Sequence, residues 1–261
     1  MQKSKKRVIP IAVSTIGVVT VAGTAFWIVD SSIAAHAENN LSLAVAESAD
    51  LDNAPRVTLG GPIYTASLIT GELAAVSIDM LDVDVPGVGM VNAQTEMEVV
   101  DVTPERVFSG DLDGTTAELF TRTLRMDGVA IGAQLDITDL DISHPLDISP
   151  SGGKAAEAML TGTPPTMRDS VSVLVNLRLV SSEFQMIPYE LVDAPDDLTL
   201  EDVAPYFTWT VDTLKLPLAD RAMSVYLAGG SIHFQSVARN VALTTRELSP
   251  LSAPEEDSNA S

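Results

Sequence analysis

Carboxylates are the residues of this chain best placed by type and spacing to do chemistry. Asp79, Asp82 and Asp84 form one group, and Asp136, Asp139 and Asp141 form another. Two carboxylates that converge at a defined separation can hydrolyse a glycoside. Both groups, however, alternate with apolar residues, which is the pattern of a wet face on a half-buried strand. Asp111-Leu112-Asp113-Gly114 has the outline of a calcium loop. It lacks the third ligand before the glycine, and Glu118 falls at the wrong spacing.

The other reactive types offer less. His36, His144 and His233 form no H-x-x-x-H or H-E-x-x-H pair, so a zinc site has little support. No G-x-S-x-G elbow occurs. Gly152-Gly153-Lys154 lacks the preceding spacing of a phosphate loop and reads as a turn. The absence of cysteine removes thiol nucleophiles, cysteine metal sites and disulfides. The chain therefore reads as a protein without a catalytic set, metal or cofactor. A hydrolase using Asp136, Asp139 and Asp141 is the rival that its carboxylates leave open.

The elements that carry these residues read mostly as β-strand. Val76, Ile78 and Met80 share one phase; Leu81, Val83 and Val85 continue on the opposite one. The same slip separates Met97 and Val99 from Val100 and Val102. It recurs between Leu135, Ile137 and Leu140, Ile142, and between Phe207, Trp209, Val211 and Leu214, Leu216, Leu218. A one-residue slip sends side chains to the other face unless a bulge absorbs it. Repeated bulges coil a sheet, so long, curved antiparallel strands are expected; the plainer alternative is that each slip separates two short strands. Val171 to Leu179 is the longest clean alternation, and Ile232, Phe234 and Ser236 begin another. Turns are expected at Pro86-Gly87, Asp127-Gly128, Ser151-Gly152-Gly153 and Gly229-Gly230. Short helices are expected at Thr115–Thr123 and near Leu200–Tyr206, the second capped by Thr199.

Location follows from the N-terminus. Val8 to Val29 are 22 residues without a charge, preceded by Lys3, Lys5, Lys6 and Arg7. As a helix this run is about 33 Å long, enough for a hydrocarbon core of ~30 Å. The basic flank favours a cytoplasmic N-terminus, with everything after Asp30 extracytoplasmic. A signal peptide cleaved at Ala35-His36-Ala37 is the competing reading. The run is longer than a signal peptide needs, and Asp30 to Ala49 continues well as helix with Ile33, Ala37, Leu41, Ala44 and Ser48 on one stripe. The expected organisation is a basic flank at 1–7, a transmembrane anchor at 8–29, one domain at 30–248 and a disordered acidic tail at 249–261.

Charge excludes a partner class. Four of the 15 basic residues precede the apolar run; the other 11 face 36 acidic residues, a net charge of −25. Such a surface repels nucleic acid. It also repels an anionic bilayer at close range. A lipid held here would be gripped by its tails.

Three stretches carry a family resemblance. The first is the apolar run followed by Asp30 and an alanine-rich helix. The second is Pro55-Arg56-Val57-Thr58-Leu59-Gly60-Gly61-Pro62-Ile63-Tyr64, then Ser67 to Leu73 and a strand to Met80. The third is Leu214-Lys215-Leu216-Pro217-Leu218, then Ser224-Val225-Tyr226, Gly229-Gly230 and the strand Ser231 to Leu243. In order and spacing they resemble the LmeA-like phospholipid-binding proteins of actinobacterial cell envelopes. The chain departs from that pattern at Gly61 and Ile63-Tyr64, where aromatics flank the proline.

The resemblance implies an α+β fold, a long curved antiparallel sheet wrapped round a long helix, akin to tubular lipid-binding proteins. It implies a phospholipid or other acyl lipid as ligand, the membrane as partner and a role in assembly or upkeep of lipid-linked envelope glycans. A structural envelope protein with a dry core is the alternative. The sequence names no protein partner. On the first phase of each slip, the expected lining residues are Ile78, Met80, Met97, Val99, Leu135, Ile137, Phe207, Trp209 and Val211.

Overall fold

Period-two alternation dominates the chain and yields strands. The clearest is Val171–Val180, where each of Val171, Val173, Val175, Leu177 and Leu179 is buried and each intervening side chain is more exposed. The computed structural model describes residues 20–61, 63–85, 87–145, 153–195 and 197–251; for residues 5–19 it gives helical backbone alone. Among them lie α1 (Lys5–Ser48), β1 (Arg56–Gly60), α2 (Ser67–Thr70), β2 (Glu72–Val85), β3 (Gly89–Asp101), α3 (Pro104–Ser109) and β4 (Thr116–Met126). Then follow α4 (Gly128–Leu135), β5 (Asp141–Ser143), β6 (Ala155–Gly162), β7 (Val171–Val180), β8 (Glu183–Asp193), α5 (Leu200–Val203), β9 (Trp209–Asp212), β10 (Ser224–Ala228) and β11 (Ser231–Ala242).

The strands form two antiparallel sheets, ordered β1-β2-β3-β4-β11-β10 and β5-β6-β7-β8-β9. The larger sheet is covered twice along its length. At one end Ala37, Leu41 and Val45 of α1 pack on Val76, Ile78, Met97 and Phe120. At the other, Leu124, Met126 and Phe234 pack on the second sheet and on α4. Gly110 lets α1 approach: a Cβ there would meet the Ala37 backbone, and its φ of 75° favours glycine.

The helix is therefore packed on one end of the sheet, and the expected wrapping along its length is not what the described residues show. Residues 20–29 are exposed, and only from Asp30 onward does α1 join the domain. Among the described residues no helix is long and apolar enough to cross a membrane. Residues 8–19 of the expected span lie outside the described side chains. So do residues 1–4, Pro86, Ser151-Gly152 and the tail from residue 252. Ser249 and Pro250, expected in that tail, are buried.

One slip is absorbed by a bulge, and at a second the buried face changes at Val99 with no shift of register. β2 shifts register against β3 between Met80 and Val83. In β3, Val99 has φ 52°, and Met97 and Val100 on either side of it are both buried. The other two slips separate short elements. Leu135 and Ile137 are not on a strand: Asp127 caps α4 by accepting from the Val129 and Ala130 amides, both at 3.0 Å, and Asp136 ends it with φ 59°. The Asp127-Gly128 pair is thus a helix cap rather than a strand turn. Phe207 closes a 3-10 turn, β9 holds Trp209 and Val211, and a second 3-10 turn takes Leu214.

The helix expected at Thr115–Thr123 lies in strand β4. That strand is buried on both faces from Phe120 to Leu124, which erases the alternation that would have marked it. The helix near Leu200 is present, and Thr199 and Asp202 form a capping box at its start.

Candidate functional site

The bulge in β2 opens a cleft. Asp82 takes φ 52°, and its amide donates to Asn92 Oδ1 at 2.8 Å. The extra residues turn Leu81 outward to 72 % exposure while Met80 stays buried. Facing the bulge is the loop from Asp50 to Pro55 that joins α1 to β1. Its path is set by the Leu51 amide on Ala46 O at 2.9 Å and by Ser42 Oγ on Pro55 O at 2.6 Å.

A third wall comes from the C-terminal segment. Arg122 on β4, 3 % exposed, donates from Nε to Thr95 Oγ1 at 3.4 Å and from Nη2 to the Glu247 carbonyl. Its guanidinium sits 5.4 Å from the Phe120 ring centre. Burial pushes its pKa down to about 10, and nearby Glu247 limits the fall. The group stays charged at neutral pH and ties the segment down. That segment places Leu251 on the cleft.

The result is an open cleft of about 620 Å³, within the range of ~300–1,000 Å³ usual for ligand sites. Leu51, Met80, Leu81, Val83, Met90 and Leu251 provide apolar surface. Asp50, Asp52, Asp79, Asp82 and Asp84 stand with them, and Arg56 is the one cation among the lining residues. Methionine and leucine conform to an irregular ligand better than aromatic rings do. The arrangement suits a hydrocarbon chain beneath a polar headgroup.

Of the expected lining residues, Met80 reaches this cleft. Ile78 and Met97 point into the core beneath α1. Leu135, Ile137 and Phe207 lie in the core between the sheets, with Trp209 and Val211 packed at its edge. Val99 is half-buried on its kink and joins neither core. The cleft residues missed were Leu51, Leu81, Val83, Met90 and Leu251, and the signal for two of them was the second phase of the β2 slip.

The profile of the family described as LmeA-like phospholipid-binding matches residues 28–236. The chain belongs to that family. No curated protein and no solved structure matches it. Membership of the LmeA-like family supports lipid binding, and the cleft supplies apolar surface for it.

The three carboxylates of the rival hydrolase lie from the end of α4 to the start of β5. Asp136 ends α4, and Asp141 is exposed on β5. Asp139 accepts from the Thr163 amide and from Thr163 Oγ1, both at 2.8 Å. Those two bonds, the amide's first, hold its carboxyl below the ordinary range. His233 stacks on Tyr226 with ring centres 4.7 Å apart, and burial lowers its pKa. Among the described residues no three His, Cys, Asp or Glu side chains gather to hold a metal ion.

Proposed function

We propose that the protein is a membrane-tethered, extracytoplasmic phospholipid-binding protein that holds an acyl chain in the cleft between the Asp50–Pro55 loop and the β2 bulge. It carries or presents lipid for the assembly or upkeep of envelope lipoglycan. The observation that carries the reading is the cleft itself: an apolar floor of Met80, Val83 and Met90 on a chain of the LmeA-like family.

Energetics suit exchange with a bilayer. Burying a chain of about 16 carbons gains more than ~10 kcal/mol against water, at roughly 0.8 per methylene. Against the bilayer the gain is near zero, because both surroundings are apolar. A cleft that only matches the membrane can therefore take up lipid and release it, and a tether supplies the local concentration.

Two observations support an uncleaved tether. Val8 to Val29 are uncharged, and Val21, Phe26, Trp27, Ile28 and Val29 are exposed where α1 leaves the domain. Cleavage after Ala37 would also remove Asp30, Ile33 and Ala37 from a helix that the core uses. The dense packing between the sheets is the observation on the side of a ligand-free scaffold.

Mass spectrometry of an organic extract of the purified full chain separates the readings. A stoichiometric phospholipid is expected. Its absence from protein purified without lipid-stripping detergent would leave the scaffold.

A further inference from the structure

The uncharged run ends at Asp30, and Asp30 is where the domain takes hold of the helix. Its carboxylate is 7 % exposed and accepts from the Tyr64 amide at 3.0 Å, the Thr65 amide at 2.7 Å and Thr65 Oγ1 at 2.6 Å. Tyr64 is itself locked, its hydroxyl donating to the Val107 carbonyl at 2.6 Å. The helix runs unbroken through this point, with its glycines and proline all upstream at Pro10, Gly17 and Gly23. No stalk separates Val29 from the domain.

The depth of the contact follows. At ~1.5 Å per residue, Asp30 stands one step beyond the span, inside the headgroup layer that adds about 5–7 Å to each side of the hydrocarbon. Tyr64 and Thr65, bonded to Asp30, share that depth. Trp27, just before it, is of the aromatic type that settles at this boundary.

The surface around this contact is uncharged and apolar. From Ile63 to Thr70 the described residues carry no charge, in a domain (residues 30–248) of net charge −22. Ile69 on α2 is 91 % exposed, Ile63 is exposed beside Tyr64, and Phe108 is exposed next to Val107. Apolar side chains left uncovered together, as a patch, mark a contact with something else. Here the neighbouring helix identifies the something as lipid.

We infer that Ile63–Thr70 is a membrane seat: with Phe108 beside it, the segment rests in the outer boundary of the bilayer and fixes the domain against the membrane at the root of α1. The inference rests on the tether proposed above. Contact is apolar, since the segment offers no cation to anionic lipid. It also sets the height of the cleft. Ser48, the last residue of α1, lies 18 residues beyond Asp30, about 27 Å at the helical rise, and Asp50 of the cleft follows two residues later. A lipid in the cleft has left the bilayer, as a carrier requires.

The chain has no cysteine, so single labels are clean. Val21→Cys, Ile69→Cys and Val129→Cys carry an environment-sensitive fluorophore. The full chain is reconstituted in phosphatidylcholine vesicles that contain nitroxide-labelled phosphatidylcholine. Val129 is exposed at the start of α4, at the opposite end of the long strands from α2. Most fluorescence is expected to be lost at 21 and 69 and retained at 129, at low and high salt alike.

Quenching at 21 with none at 69 would overturn the seat and keep the tether. Quenching at 69 with none at 21 would keep the seat and remove the tether, while no quenching at either removes both. A label at Ile63→Cys guards against insertion driven by the fluorophore. Its quenching is expected to fall when Ile69→Asp is added, with that at 21 unchanged; persistence at 63 would count against the seat.

Discussion

The core between the sheets and the cleft at the β2 bulge are built from the same kind of alternating strand, yet one is closed and the other open. In the core, Phe184, Phe234 and Trp209 interlock edge to face, with centroids 4.8 to 6.4 Å apart. Such ring geometry admits few alternatives and holds the space shut. In the cleft there are no aromatic rings, and its apolar surface comes mainly from leucine, valine and methionine beside aspartates. The bulge makes the difference: it turns Leu81 away from a packed face before pairing with β3 resumes in a shifted register at Val83. Rigid rings close the core, and pliable side chains line the cleft.

The comparison can be broken most strongly from the core side. Phe184→Ala is expected to cost about 3–5 kcal/mol in denaturant unfolding, by removal of a fully buried ring. The fraction that stays folded should still carry lipid at the parent's stoichiometry. Loss of lipid in that fraction would mean that the core, and not the cleft, holds it.

Asp30→Ala comes next, at about 1–3 kcal/mol, because it strands the Tyr64 and Thr65 amides. Burial pushes the Asp30 carboxyl up, but its three hydrogen bonds outweigh burial and hold it below the ordinary value. The folded pKa is thus lower than the unfolded one. The bonds contribute fully above the ordinary value of ~3.9, and their contribution is lost as pH falls through the folded pKa. Unfolding of parent and variant, compared at neutral pH and down through this acid range, should show the gap between them closing. A gap that does not narrow on acidification contradicts the latch.

Leu81→Asn with Met90→Gln tests the cleft with little cost in stability. Both side chains are exposed, so a change of no more than ~0.5 kcal/mol each is expected, together with loss of copurifying lipid. Retention of lipid would place the site elsewhere. The smallest effect concerns the headgroup. Five aspartates beside one arginine should favour zwitterionic phosphatidylethanolamine over anionic phosphatidylglycerol in a competition assay. That preference should shrink as salt screens the aspartates, over a length of about 8 Å at 0.15 M.

How far the sequence reached depends on what each pattern encodes. Period-two alternation reports a strand with one wet face, so β7 and β11 were legible at once. The slip after Met80 announced the bulge that later proved to shape the cleft. Strand β4 was hidden because Thr121, Arg122 and Thr123 are buried like their neighbours, and no alternation survives. Helix α4 was hidden behind Asp127-Gly128, a pair that serves a turn and a helix cap equally well. The lining residues were the hardest part. Alternation says that Ile78 and Met80 share a face, but not that α1 covers the first and the cleft exposes the surroundings of the second. That distinction is tertiary, set by where Ala37, Leu41 and Val45 end along the sheet.

The account turns on which surface holds the hydrocarbon. A phospholipid with a photoreactive group within its acyl chain, loaded on the full-length protein and irradiated, maps that surface directly by peptide mass spectrometry. Cross-links are expected in residues 50–56 and 79–90, the two larger of the cleft's three walls. Cross-links confined to β7 and β8, with none in either wall, would contradict it.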